Sequence, residues 1–317
     1  DARQGLTIEM IKSGHKAKNQ VPILRNDEVI EYPADQATLT KRYTERAIEF
    51  IRTKSDQPFF LYLPHTMVHL PLAVSDAFND PSKELITNAI EEVDWSVGQI
   101  LTSIKDAGIA DNTLVIFTSD NGAAVGSSLP LRGKKSSVYD GGIREPTLMW
   151  WPGKIAAGSV CREVAASIDV MPTLVNLCGG TMPERKIDGK DIWPLISGVK
   201  DAKSPHRHYV LMHGPGTVRA GKWKFYPWRE GEFKQRGAEL NGKPSTEPVQ
   251  LYDTVADIGE TTNLAADHPE LVKELQAAYD SHVSEIKANQ RPTALLVRPT
   301  NVVSPARPVV KRNKKKT

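Results

Sequence analysis

The chain has 317 residues, of which 39% are apolar and 25% are charged, the composition of an ordinary globular protein. This length allows one large hydrophobic core and a smaller subdomain. The sequence contains no run of about 18 apolar residues, so no transmembrane helix is predicted. The formal net charge of +3 is misleading, because residues 307–317 hold six basic residues and no acid, and the rest of the chain is mildly acidic.

The C-terminal residues and the cysteines exclude several classes of protein. Residues 291–317 are rich in proline and lysine, a composition that predicts a disordered basic tail. The tail has no aromatic residue on which a base could stack, so we predict no nucleic-acid partner. Cys161 and Cys178 provide neither a disulfide framework nor zinc-site spacing, and this favours buried or half-buried free thiols.

Helix and strand patterns alternate through the first two thirds of the chain. Residues 1–34 are predicted as loop with a short strand at 21–24. The predicted elements that follow are an amphipathic helix at 38–54, a strand at 59–63, a second helix and a strand at 113–118. The second helix has its apolar positions at 85–104, is capped by Ser82 and ends at Gly108. The order strand–helix–strand implies a parallel crossover, and therefore an α/β sheet covered by helices.

The pattern changes towards the C-terminus. A strand is predicted at 147–151, and a helix capped by Asp169 at 170–178. Beyond residue 205, short strands at 207–212, 217–226 and 249–252 precede a helix that runs from 268 to about 287. We therefore predict an α/β domain at 1–204, a small antiparallel α+β subdomain at 205–290 and the tail at 291–317.

A strand followed by polar oxygens is the first chemical signal in the sequence. Residues 114–117 are Leu-Val-Ile-Phe, which is typical of a strand buried on both faces of a parallel sheet, and Asp120-Asn121-Gly122 follow soon after it. Ligands bind at the carboxyl ends of such strands, and adjacent carboxylate and amide oxygens suit Ca²⁺ or Mg²⁺. Asp-Asn-Gly is also common turn chemistry, so this segment alone favours a turn and a metal site equally.

Two further segments carry chemically active side chains. Residues 58–71, PFFLYLPHTMVHLP, read as an apolar strand that ends in two histidines, His65 and His69. Residues 131–146, LRGKKSSVYDGGIREP, form a glycine-rich stretch with paired lysines. Oxygen ligands, a histidine and a lysine beside core strands are the groups needed to hold a tetrahedral oxyanion.

The order and spacing of the three segments, DNG, HxP and LRGKK…YDGGIREP, resemble the sulfatase family within the alkaline-phosphatase-like superfamily. Later segments extend the resemblance to about residues 38–288; they include IDVMPTL at 168–174 and VRAGKWK at 218–224. The resemblance implies a mostly parallel sheet flanked by helices. It also implies an arylsulfatase-type sulfuric ester hydrolase that acts on a small-molecule or carbohydrate sulfate ester, in the periplasm or outside the cell.

The resemblance assigns roles to four residues. Asp120 and Asn121 are the expected metal ligands, for Ca²⁺ or alternatively Mg²⁺. His69 is expected to contact the substrate oxygens or to protonate the leaving alkoxide, and Lys135 to bind a sulfate oxygen as a point charge. We expect these four side chains to converge at the carboxyl end of one parallel sheet.

Simpler interpretations of these residues remain open at this stage. A histidine beside an apolar strand is often a hydrogen-bonded core residue, and paired lysines are usually solvated. Lys134 competes with Lys135, at a position that is often glycine in the family. Arg144 is interpreted as structural, and His65 is not assigned a catalytic role.

The sequence departs from the family pattern at the nucleophile. Sulfatases carry a C/S-x-P/A-x-R motif that is matured to formylglycine, and neither Cys161 nor Cys178 matches it. The expected interpretation is that the chain is the C-terminal part of a sulfatase and inactive by itself. The alternatives are a phosphatase or phosphonate monoester hydrolase of the same superfamily, and a non-catalytic module that keeps an oxyanion pocket.

Overall fold

The structure is a computed structural model and describes residues 21–212, 216–229 and 248–290. The predicted tail at 291–317 lies outside these residues. The helices and strands, in chain order, are β1 (Ile23–Arg25), β2 (Glu28–Glu31), α1 (Leu39–Lys54), α2 (Leu85–Asp106), β3 (Val115–Thr118), α3 (Asp140–Ile143), β4 (Thr147–Trp150), α4 (Val170–Leu177), α5 (Trp193–Ile196), β5 (Tyr209–Leu211), β6 (Thr217–Ala220), β7 (Trp223–Arg229), β8 (Val249–Asp253) and α6 (Pro269–Asn289).

The long helices lie where the apolar periodicity predicts them. Helices α1 and α2 pack against each other, and α1 buries Leu39, Ala47 and Ile51 on one face. The predicted cap by Ser82 is wrong, because its hydroxyl donates to Asp80 and α2 begins three residues later without a side-chain cap. The chain leaves α2 at Gly108, whose φ of 69° is readily adopted only by glycine.

The strand pairing in the α/β part differs from the prediction. Strand β3 pairs with β4, and the register runs antiparallel from Val115 opposite Trp150 to Thr118 opposite Thr147. Among the described residues these two strands form a two-stranded sheet, and a parallel crossover from 59–63 to β3 is not observed. The apolar run at 114–117 marked a strand correctly, but periodicity does not determine strand direction.

The predicted strand at 59–63 is not formed within the described part of the chain. Its residues are extended but have no strand partner there. The side chains of Phe60 and Tyr62 are 75% and 76% exposed, while Phe59 packs edge-to-face on Phe50 of α1. The apolar run indicated burial on both faces, whereas in the structure Phe59, Leu61 and Leu63 are half-buried and the other face is exposed.

The predicted C-terminal antiparallel sheet is confirmed, and its strands lie in the order β5-β6-β7-β8. Residues 217–226, predicted as one strand, form two strands joined by a tight turn at Gly221, where φ is 56°. Helix α6 covers one face of this sheet, and the core between them consists of Val218, Phe225, Leu251, Ala265 and Leu275.

A second apolar cluster joins the C-terminal sheet to the segment before β4. It consists of Val138, Tyr139, Tyr226, Trp228 and Tyr252. Both free cysteines are exposed, contrary to the expectation of buried or half-buried thiols. Within the described residues no helix is both long enough and apolar enough to cross a membrane.

Candidate functional site

The antiparallel pairing of β3 with β4 brings two polar segments to one edge. Thr118 ends β3 opposite Thr147, which begins β4, and their hydroxyls lie 2.9 Å apart. The residues that follow β3 therefore lie beside the residues that precede β4. Asp120 belongs to the first segment and Glu145 to the second.

Glycines hold the Asp-Asn-Gly loop against the segment around α3. The N–H of Gly122 donates to the carbonyl of Gly142 at 3.0 Å, and a Cβ on Gly122 would overlap the carbonyl oxygen of Gly141. Gly141 in turn donates to the carbonyl of Arg132 at 2.7 Å. Three backbone segments thus stack at distances that only glycine permits.

The same stack brings the loop of Lys135 beside the loop of Asp120 and Asn121, the predicted metal ligands. The backbone N–H of Lys135 donates to the carbonyl of Ala123 at 3.1 Å, two residues after Asn121. Lys135 is half-buried, and within the described residues its ammonium group has no hydrogen-bond or ion-pair partner. Lys134 is exposed, and its ammonium donates to the carbonyl of Gly126 at 2.6 Å. This difference favours Lys135 as the lysine that is available to an anion.

Glu145 adds a third oxygen-bearing side chain, which the sequence analysis did not single out. Its Oε1 is buried and has no hydrogen-bond partner among the residues that the structure describes. Burial is the main cause that raises the pKa of Glu145, and the negative charge of Asp120 adds to it. A hydrogen bond with Ser119 partly offsets these two effects. The only sequence signal was an acid in the GGIREP block that preceded a predicted strand.

The arrangement fits a hard cation in its chemistry. Asp120 is exposed, Asn121 is half-buried, and the unpartnered oxygen of Glu145 lies at the same edge. Carboxylate and amide oxygens are the donors that Ca²⁺ and Mg²⁺ prefer. Within the described ranges, no group of three or more His, Cys, Asp or Glu residues could hold a metal. The donors identified here are two carboxylates and one amide.

The two histidines have different surroundings. His69 is exposed, and its Nδ1–H donates to the carbonyl of Leu70 at 2.7 Å. His65 lies half-buried between α1 and α2, with its Nε2 3.4 Å from the hydroxyl of Ser96, and burial lowers its pKa. His65 therefore packs with the helices, which agrees with its not being assigned a catalytic role.

The convergence of the four predicted residues is seen in part. The loops of Asp120, Asn121 and Lys135 are joined by backbone hydrogen bonds. In the described part of the chain, no hydrogen bond or ion pair connects His69 to those loops. Arg144 lies 3.7 Å from a carboxylate oxygen of Asp140, a contact that fits the structural interpretation.

Two family models match the chain. The model described as Sulfatase matches residues 10–180, and the model described as N-sulphoglucosamine sulphohydrolase, C-terminal, matches residues 134–289. Together they cover both the candidate site and the C-terminal sheet. The second match begins at Lys134, inside the stack of backbone segments.

Curated relatives are also sulfatases. Human steryl-sulfatase is 38% identical over 83% of this chain and 51% of its own length. Mouse N-acetylgalactosamine-6-sulfatase is 36% identical over 68% of this chain and 45% of its own length. Human arylsulfatase A is 34% identical over 81% of this chain and 55% of its own length. The chain thus spans about half the length of the curated relatives it matches.

Solved structures show the same fold. A Bacteroides thetaiotaomicron protein, described in connection with glycosaminoglycan metabolism, superposes with a TM-score of 0.69 at 26% identity, covering 79% of this chain and 55% of its own. The PsFucS1 sulfatase from Pseudoalteromonas sp. gives a TM-score of 0.72 at 20% identity, covering 83% and 56%. The alkaline-phosphatase-like α/β fold with a C-terminal antiparallel sheet is therefore confirmed. With the family model matching more than half of its residues, the chain belongs to the sulfatase family.

Proposed function

We propose that this chain forms the cation-holding and oxyanion-holding part of an arylsulfatase-type sulfuric ester hydrolase, which acts on a small-molecule or carbohydrate sulfate ester. The observation that carries the proposal is the glycine stack. It fixes the loop of Asp120 and Asn121 against the loop of Lys135. Hard oxygens and Lys135, whose ammonium group has no partner among the described residues, thereby lie at one edge of β3 and β4. A sulfate ester anion needs both a cation and a positive side chain there.

Asp120 and Asn121 are the residues proposed to hold Ca²⁺, with Mg²⁺ as the alternative, and sulfatases as a family use calcium. When bound, the cation polarises the sulfuryl oxygens and neutralises their charge. The buried, unpartnered oxygen of Glu145 supports a positive charge at this edge. Three such donors are fewer than the six to eight oxygens that Ca²⁺ takes, so we expect weak binding by this chain alone.

Lys135 and His69 are the proposed substrate-contacting side chains. The ammonium group of Lys135 places a positive charge against a sulfate oxygen. The ring of His69 is held by its Nδ1–H bond to the carbonyl of Leu70, so Nε2 is the atom that contacts the ester. Protonated Nε2 is suited to donate its proton to the departing alkoxide.

The nucleophile must come from residues other than these. The family uses formylglycine, and neither Cys161 nor Cys178 lies in a C/S-x-P/A-x-R motif from which to make it. The one serine match, Ser128-Leu-Pro-Leu-Arg132, overlaps the LRGKK block, whose Lys135 is assigned here to sulfate binding. The decisive experiment begins with sequencing the gene across the codon for Asp1. If the reading frame encodes such a motif upstream, the product of the whole frame should hydrolyse 4-nitrophenyl sulfate in the presence of Ca²⁺, and lose that activity with EDTA.

The same assay separates the proposal from its two alternatives. Faster hydrolysis of 4-nitrophenyl phosphate than of the sulfate would identify a phosphatase or phosphonate monoester hydrolase. A start codon directly before the codon for Asp1, together with binding of inorganic sulfate without turnover, would identify an oxyanion-binding module. The family match and the curated relatives favour the sulfate ester.

A further inference from the structure

A buried group of charged residues lies between β7 and the segment that begins α3. Lys224, Asp140 and Glu260 are 1%, 5% and 0% exposed. The ammonium group of Lys224 donates to the carboxylate of Asp140 and lies 3.4 Å from that of Glu260. The backbone N–H of Asp140 donates to the other oxygen of Glu260 at 2.8 Å. Asp140 is therefore held from both its side chain and its backbone.

The pKa shifts of Asp140 and Tyr226 fit a hydrogen-bonded cluster. Burial would raise the pKa of Asp140, but the charges of Lys224, Arg219 and Arg144 outweigh burial and lower it. Burial and the charge of Glu260 raise the pKa of Tyr226 well above its usual range, so its hydroxyl remains a donor to Glu260. At neutral pH the Asp140 carboxylate thus stays charged, and the Tyr226 hydroxyl keeps its hydrogen bond to Glu260.

Thermodynamic stability alone is a poor reason for such a cluster. Removing charges from water costs free energy that their attraction often fails to recover, and apolar residues of similar volume stabilise a core at least as well. What hydrogen-bonded charges add is a defined geometry, because each donor must meet its acceptor in one orientation. The question is which part of the molecule depends on that geometry.

Asp140 is directly continuous with the glycine stack. The next two residues make the backbone hydrogen bonds that hold the stack: Gly141 donates to the carbonyl of Arg132, and the carbonyl of Gly142 accepts from Gly122. A Cβ on Gly142 would meet the carbonyl oxygen of Lys134 at 2.6 Å, so the backbones have no room to shift. A displacement of Asp140 therefore reaches the loops of both Asp120 and Lys135.

We propose that Lys224 is a positioning residue, which works with Glu260 to fix Asp140 and thereby the relative placement of the cation loop and of Lys135. Lys224 contacts neither of those loops, and acts from the C-terminal sheet through Asp140. The proposal rests on the proposed function for its catalytic meaning, but its structural part is testable in this chain alone.

The test is hydrogen–deuterium exchange on the 317-residue chain and its Lys224→Met variant. We expect exchange in peptides covering 119–125 and 131–145 to become at least about tenfold faster in the variant, while α1 and α2 keep their protection. The matched control is Lys222→Met, because Lys222 lies one residue before β7 and pairs with Asp253 on the surface. The control should leave both loops unchanged. The proposal would be overturned if exchange became faster throughout the chain. It would also be overturned if exchange in the two loops stayed as slow as in the wild type.

A milder variant keeps the test valid if Lys224→Met does not fold. Tyr226→Phe removes only one hydroxyl donor to Glu260, and should speed exchange in the same two loops by a smaller factor. Exchange equal to that of the wild type in a folded Tyr226→Phe variant would then contradict the proposal. Failure of the proposed function would have a different signature. The melting temperature of the chain would then not respond to Ca²⁺ or inorganic sulfate, whatever the exchange pattern.

Discussion

Gly122 and Gly141 lie with their backbones in direct contact: a Cβ on Gly122 would overlap the carbonyl oxygen of Gly141. We expect Gly122→Ala to destabilise the chain by about 1–3 kcal/mol, the usual cost of forcing atoms into a packed site. The loop of Asp120 should also lose order, since its hydrogen bond to Gly142 would break. Urea unfolding measures the first effect and amide exchange the second.

Gly98 provides the matched control for this substitution. It lies within α2 and has nothing within 4 Å of the position of a Cβ. Gly98→Ala should stabilise the protein by up to about 1 kcal/mol, because alanine is the better helix former. Equal effects of the two substitutions would show that the close approach at Gly122 has no energetic consequence.

The fold was predictable where the determinant is local. Apolar spacing predicted α1, α2 and α6 to within a few residues. It could not predict the antiparallel pairing of β3 with β4, because the same apolar run suits either direction. The exposure of Phe60 and Tyr62 could not be predicted either, because an apolar strand pattern does not show whether neighbouring strands will cover it.

Motifs predicted part of the candidate site, and the rest became apparent only from tertiary contacts. Asp120, Asn121 and Lys135 stand in recognisable blocks, and the structure joins their loops. Glu145 gave only a weak signal. The contact between Lys224 and Asp140 spans 84 positions, so no local pattern could indicate it.

Calcium should stabilise this chain through Asp120. If the dissociation constant is about 1 mM, about 10 mM Ca²⁺ raises the free energy of unfolding by roughly 1.4 kcal/mol. Asp120→Asn should remove most of this gain, because a neutral amide binds a divalent cation less strongly. Thermal melts with CaCl₂ or EDTA at constant ionic strength would measure it. Asp111→Asn, an exposed acid ahead of β3, is the control and should keep the full calcium response.

The 317-residue chain alone should not hydrolyse 4-nitrophenyl sulfate above the rate of the buffer. Covalent catalysis divides a difficult displacement into two easier steps, and neither cysteine of this sequence lies in the family's nucleophile motif. The serine match at Ser128-Leu-Pro-Leu-Arg132 overlaps the LRGKK block and is not expected to supply the nucleophile. A continuous assay at 400 nm with added Ca²⁺ is sufficient. Calcium-dependent turnover that disappears in Lys135→Ala would show that another side chain acts as the nucleophile.

His65 should make stability depend on pH in the mildly acidic range. Burial lowers its pKa in the folded state, whereas in the unfolded chain the pKa is about 6.5. Between these two values the unfolded state binds more protons, so this contribution is complete above about pH 6.5 and declines as the pH falls below it. In His65→Gln the loss of stability between pH 7.5 and 5.5 should be smaller, as measured by urea unfolding. Identical losses in both proteins would exclude His65 as the cause.

The exposed aromatic residues at 59–63 should make the chain associate. Phe60 and Tyr62 are 75% and 76% exposed, and their extended backbone has no strand partner within the described residues. Unpaired edges and apolar patches favour pairing with other chains. The basic residues at 307–317 should oppose this only weakly, because salt screens charges beyond about 8 Å. Light scattering should therefore show a mass that rises with protein concentration.

Replacing both aromatic residues with serine should shift that rise to at least about tenfold higher concentration, because the apolar burial lost exceeds the 1.4 kcal/mol that corresponds to a factor of ten. Val255→Ser is the matched control, since Val255 is also 76% exposed but lies in a polar turn after β8. It should not change the association. A wild-type chain that stays monomeric and melts cooperatively above ~65 °C, the upper end for mesophilic domains, would contradict the prediction. In that case the segment at 59–63 would be stable with one face packed on α1 and the other face in water.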